Sequence, residues 1–142
     1  MMRRILALFV ALALAGAALA YLRDPPWLLT TTSGLLGWGT DRDGTRYRWT
    51  VGHASFFVPA DWTAIDLPLR ATFQSPADWP ISVTVSVDDR PADRIVLTDD
   101  SWRHLLIRLP PRATRRVRRL DIRADRTREG NLGVQLGEIG HR

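Results

Sequence analysis

Four aliphatic residues, Ile81, Val83, Val85 and Val87, alternate without a break with Ser82, Thr84 and Ser86. A period of two puts the aliphatic set on one face of a strand and the hydroxyls on the other, and no helical stripe reproduces it. The same period recurs along the chain. Tyr47, Trp49 and Val51 alternate with Arg46, Arg48 and Thr50, which predicts a half-buried strand with Trp49 in the core. Ile65, Leu67, Leu69, Ala71 and Phe73 alternate with Asp66, Pro68, Arg70 and Thr72, with Pro68 marking an edge strand or a bulge. Leu105, Ile107 and Leu109 share a phase, and Leu120, Ile122 and Ala124 stand opposite Asp121, Arg123 and Asp125. Further strands are expected over 54–58, 94–97 and 132–139.

Asp43-Gly44, Asp88-Asp89-Arg90-Pro91, Asp99-Asp100 and Pro110-Pro111 punctuate these segments. Short strands at near-regular spacing read as a meander, and one apolar face per strand calls for two packed sheets. The expected fold is all-β: an antiparallel β-sandwich or jelly roll, preceded by one N-terminal hydrophobic helix. With the leader set aside, a chain of 142 residues leaves material for one core rather than two.

That leader is the apolar run 5–22, which follows Arg3-Arg4 and closes on Arg23-Asp24-Pro25-Pro26. It has no polar face, so it is not the packed helix of a soluble core. Paired arginines ahead of the run favour a cytoplasmic N-terminus and place the rest outside, periplasmic or at the cell surface. Ala18-Leu19-Ala20 fits a cleavage site, while the length of the run approaches a membrane span, so residues 1–22 are a signal peptide or a signal anchor. Pro, Thr, Ser and Gly then dominate, and 23–36 reads as a linker into a sandwich domain over 37–142.

Every one of the 20 basic residues is arginine, and the formal charge is +5. The stretch 112–128 carries Arg115, Arg116, Arg118, Arg119 and Arg123, a candidate contact for anionic lipid or acidic glycan. Export argues against nucleic acid, and Asp121 and Asp125 within the stretch offer ion-pair partners on a solvated face. Cysteine is absent, which removes disulfides, thiolate metal sites and a thiol nucleophile.

Catalytic motifs are not visible. His53, His104 and His141 have no zinc spacing, and no serine sits in a Gly-x-Ser-x-Gly elbow. Asp41-x-Asp43-Gly44 is part of a calcium loop but reads as an aspartate-glycine turn. No metal or cofactor is expected, and the chain does not read as an enzyme. Of six tryptophans, Trp27 falls near the membrane boundary, where an indole is half apolar and half wet. Trp102 and His104 are on the opposite phase from Leu105, and Trp79 precedes Pro80. Exposed rings beside arginine suit a pyranose face, so Trp79, Trp102, His104 and Arg48 are the candidate ligand-binding set.

Arg48-Trp49-Thr50, Phe57-Val58-Pro59 and the closing Leu132-Gly133-Val134-Gln135-Leu136-Gly137-Glu138-Ile139 resemble small β-sandwich modules found with bacterial cell-surface glycosyltransferases and polysaccharide proteins. The resemblance spans about Gly37 to Ile139 and implies a jelly roll and an association with envelope polysaccharide, with no catalytic residues to carry over. The functional expectation is an extracytoplasmic, non-catalytic accessory or binding module that contacts carbohydrate. The alternative is an interaction protein that docks another envelope membrane protein through a sheet edge or its arginine-rich face.

Overall fold

The computed structural model describes residues 2–72, 75–111 and 114–142. Phe73, the expected end of one strand, and Arg112, the start of the basic stretch, lie outside the described residues. Among the described residues, a helix, α1 (Met2–Arg23), leads into a 3-10 turn (Pro26–Thr30) and then nine strands. These are β1 (Thr32–Thr40), β2 (Arg46–Pro59), β3 (Ala64–Arg70), β4 (Ile81–Val87), β5 (Arg90–Leu97), β6 (Arg103–Arg108), β7 (Val117–Ala124), β8 (Leu132–Gly137) and β9 (Gly140–His141).

All pairings are antiparallel, and the strand order is β5-β4-β7-β2-β8-β3-β6, with β1 on β2 and β9 on β3. The expected antiparallel β-sandwich is what the chain forms. Its two sheets share β2: residues 53–59 pair with β7, and residues 47–51 pair with β8. The 14 residues of β2 thus merge two strands expected separately, and the strand turns a corner between the sheets near Gly52. Opposite this corner, the β1 register jumps from Ser33↔Ser55 to Leu35↔Thr50. Gly34, at φ +67, makes the jump feasible, since a Cβ there would stand 2.1 Å from the His53 carbonyl oxygen.

The core lies between the sheets and follows the alternation. Ile65, Leu67, Leu69, Ile81, Val83, Val85, Leu120, Ile122 and Val134 are fully shielded, and Phe56, Val58, Leu105 and Ile107 join them. Asp88 and Asp89 both have positive φ and close the β4–β5 hairpin in two residues, the backbone that matches strand twist and that aspartate tolerates.

Four expectations need correction. The strands do not run as a meander: from β2 to β8 the chain crosses between sheets at every connection except the β4–β5 hairpin. Alternation fixes which face is buried, not which strand lies alongside. Trp49 is not core. The buried phase in this part of β2 is carried by Thr50, whose Oγ1 accepts the Val134 amide at 2.9 Å. Gly133 packs so closely against it that a Cβ there would lie 2.7 Å from Thr50 Oγ1. Pro68 is on an interior strand, since β3 runs between β8 and β6. It falls between the β9 pairing at Ile65–Asp66 and the β8 pairing at Leu69–Arg70. Lastly, β1 begins at Thr32, inside the stretch 23–36 that composition gave to the linker. Pairing with β2 and a buried Asp24 organise that stretch.

Candidate functional site

Where β2 turns the corner, the sandwich is open on the β1 side, and a cleft of about 360 Å³ enters between the sheets. Phe56, Val58 and Leu136 form its apolar floor, and Trp38, Trp62, Arg48 and Glu138 stand at its mouth. Trp38 is 51% exposed. Its chain neighbours are Gly37 and Gly39, and the side chains that reach its ring come from β2.

Arg48 faces Trp38 across the β1–β2 ladder. Its Nε donates to the Leu36 carbonyl at 2.6 Å and its Nη2 to the Leu35 carbonyl at 3.1 Å. Both carbonyls lie where the β1–β2 register shifts, between Leu35 and Trp38. Arg46 and Arg48 stand 4.7 and 5.7 Å from the Trp38 ring centroid, and Arg46 pairs with Glu138 at 3.1 Å. Trp62 is stacked on His141 at 4.0 Å between centroids. The mouth therefore presents two indoles, a guanidinium and a carboxylate over an apolar floor, the mixture that fits an amphipathic small ligand.

A second cluster lies on the outer face of β2, β4 and β7, in a polar hollow of about 320 Å³ lined by His53, Thr84, Ser86, Asp89, Arg119, Asp121 and Arg123. Asp121 is its hub. Its Oδ1 accepts from Ser55 Oγ at 2.7 Å and faces His53 Nε2 at 3.0 Å, while Oδ2 accepts from Arg119 Nε at 2.9 Å. Burial pushes the Asp121 carboxyl up, but the bonds from Ser55, Arg119 and His53 and the Arg119 charge outweigh it and hold it below its ordinary value. Ser55 donates to the carboxylate and not to the imidazole, so the three residues are not arranged as nucleophile, base and orienting acid.

The third cluster covers the outer face of β2, β3 and β8. Arg70 stacks 4.6 Å from Trp102 and 6.0 Å from Tyr47, its Nη1 is 3.2 Å from Asp41 Oδ2, and its Nε donates to Gln135 Oε1 at 2.8 Å. Asp41 Oδ1 accepts the amides of Asp43 and Thr45, which closes the Asp-Gly turn. Burial raises the Asp41 carboxyl, yet the Thr45 amide, the Trp102 indole, the Asp43 amide and the Arg70 charge together keep it below its ordinary value.

The residues singled out from sequence are distributed among these places. Trp102 and His104 do share the outer face of the second sheet, where Trp102 is half-buried against Arg70 and Asp41 and His104 Nδ1 is 2.9 Å from Asp66. Trp79 packs half-buried against the core, and Arg48 alone of the four reaches the cleft. The five arginines do not form one open face. Arg118 is 2% exposed and held by Asp88 and the Pro110 carbonyl. Arg119 pairs with Asp89 and Asp121, and Arg115 clasps Asp24. Arg116 and Arg123 are in no ion pair among the described residues, although Arg116 gives its backbone amide to Asp24. A further groove, about 550 Å³ beside β5 and the end of β6, carries Arg90 and Arg108 but no aromatic ring. Trp38 and Trp62 were missed in the sequence; the glycines flanking Trp38 were the available signal.

No protein-family profile matches the chain, and no curated protein matches it in sequence. Solved structures similar to it include a family two carbohydrate esterase from Clostridium thermocellum in complex with cellohexaose, at 10% identity and TM-score 0.47 over 79% of this chain. The chain spans only 31% of that esterase chain's length. Two carbohydrate-binding modules are also similar. CBM51 from Clostridium perfringens GH95 in complex with methyl-galactose has 12% identity and TM-score 0.47 over 80% of this chain and 94% of its own. CBM36 in complex with calcium and xylotriose has 10% identity and TM-score 0.46 over 79% of this chain and 99% of its own. At these values the likenesses assign neither a family nor a ligand.

Proposed function

We propose that the protein is a non-catalytic binding module held outside the cytoplasmic membrane, and that it takes carbohydrate in the Trp38 cleft. The observation that carries this reading is the half-exposed Trp38 indole beside a guanidinium held on two backbone carbonyls. A pyranose offers an apolar face to a ring and hydroxyls at its rim, and Arg48 and Glu138 stand where a rim would be read. Pinning Arg48 in advance lowers the ordering cost of binding.

The alternative, docking of another membrane protein on a sheet edge or an arginine face, has less behind it. The edge strand β5 carries Arg90, Pro91, Asp93 and Arg94, residues that blunt strand addition, and most of the basic stretch is already paired internally. Intrinsic tryptophan fluorescence of the full chain, titrated with neutral and acidic oligosaccharides at low and moderate salt, tests the glycan reading. A saturable shift is expected; a flat response to every saccharide would transfer the weight to protein docking.

A further inference from the structure

The segment that follows the hydrophobic helix is not a free tether. α1 has 22 residues, about 33 Å of helix, against a hydrocarbon layer of roughly 30 Å, and its described side chains are exposed throughout. Directly after it comes Asp24, 3% exposed, whose amide still donates to Ala20 at 3.2 Å as in a last helical turn. The Asp24 carboxylate belongs to the sandwich. Both its oxygens accept from Arg115 Nε at 2.7 Å, Oδ2 takes the Arg116 amide at 3.0 Å, and Arg115 Nη2 closes the ion pair. One residue thus ends the helix and is bolted to the loop that enters β7.

Residues 25 and 26 are both proline, so the chain leaves this clamp with restricted φ and passes into the 3-10 turn that carries Trp27, 56% exposed. Between the last turn of α1 and the β7 loop is a cleft of about 300 Å³ lined by Leu19, Ala20, Arg23, Asp24, Thr114 and Arg116. Arg23 and Arg116 form no ion pair among the described residues, although Arg23 contributes to the field on Asp24. Two unneutralised guanidinium groups beside the end of an apolar helix, with an exposed indole next along the chain, are disposed as a membrane–water interface requires.

We infer that α1 stays in the membrane and that the Asp24 clamp seats the sandwich directly on the outer membrane face, with Arg23 and Arg116 on the phosphates of anionic phospholipids and Trp27 in the interfacial layer. The binding partner is a lipid surface, and the inference does not rest on the glycan reading. Met by three donors from Arg115 and Arg116, the Asp24 carboxylate fixes the end of α1 to the loop that enters β7, so the domain does not swing.

The absence of cysteine allows single labels. Full-length Thr114→Cys, before β7, and Glu129→Cys, in the turn beyond it, are labelled with a fluorophore and reconstituted in vesicles of phosphatidylcholine with or without phosphatidylglycerol. Spin-labelled headgroups then serve as quencher. The expected result is strong quenching at 114 and little at 129, with the contrast reduced by Asp24→Ala and its dependence on phosphatidylglycerol lost in Arg23→Gln/Arg116→Gln. Asp24→Asn, which keeps the shape and some of the hydrogen bonds, is expected to lie between wild type and Asp24→Ala and guards against simple misfolding. Equal quenching at both sites, an unchanged contrast in both Asp24 variants, or recovery of the protein without α1 would overturn the inference. Saccharide titration of the same vesicles fails or succeeds independently.

Discussion

Arg48 donates from Nε to the carbonyl oxygen of Leu36 at 2.6 Å, and through that bond the guanidinium is both a strut for β1 and one wall of the Trp38 cleft. Arg48→Ala removes two charge-assisted bonds to β1 and should cost roughly 1–3 kcal/mol of stability. Arg48→Lys keeps the charge but not the fork that spans two carbonyls, so it should recover little of the loss. Chemical unfolding of the full-length variants, followed by near-ultraviolet circular dichroism, measures both.

Thr50 and Gly133 form a matched pair inside the corner. Thr50→Val leaves the Val134 amide without its acceptor in a dry site, and about 1–3 kcal/mol of stability should be lost. Gly133→Ala drives a Cβ to 2.7 Å from the Val51 carbonyl oxygen, which the backbone of β2 must move to relieve. Both variants should unfold earlier in urea, and Gly133→Ala should also disturb the cleft.

Acid should weaken the fold through Asp121. Its carboxyl ionises more readily in the folded chain than at its ordinary 3.8, so the folded state binds fewer protons than the unfolded one. The stability it contributes is complete above pH 3.8 and fades as pH falls through the lower folded value. Asp121→Asn should be less stable than wild type at neutral pH and lose less on acidification, which unfolding curves across the acid range will show.

Leu67 is fully shielded in the middle of β3, and Leu67→Ala should cost about 2–5 kcal/mol. Its exposed counterpart Leu106, on β6, should tolerate alanine within about 0.5 kcal/mol. Thermal unfolding of the pair tests whether the sandwich interior lies where the alternation places it.

Much of the fold was legible because burial in a two-sheet protein leaves a period-two trace. Ile81, Val83, Val85 and Val87 are inside, and Leu120, Ile122 and Ala124 face inward while Asp121 faces out. Trp49 was misread for a physical reason: what decides its face is the tight approach of Gly133, on a strand more than 80 residues away, and local alternation holds no record of it. The linker was misread similarly. Thr, Ser and Gly over 30–34 look loose until Asp24 meets Arg115 and β1 pairs with β2. Of the candidate site, Arg48 was found from sequence, while Trp38 and Trp62 converge only through the corner in β2.

The most direct measurement is calorimetric titration of full-length wild type, Trp38→Ala and Trp102→Ala with whichever oligosaccharide shifts the fluorescence. Trp38→Ala should cost about 2 kcal/mol, roughly thirtyfold in Kd, with the fold intact, and Trp102→Ala should bind like wild type. Binding lost in Trp102→Ala but kept in Trp38→Ala would move the site to the outer face of the second sheet, and no binding by wild type would contradict a glycan cleft altogether.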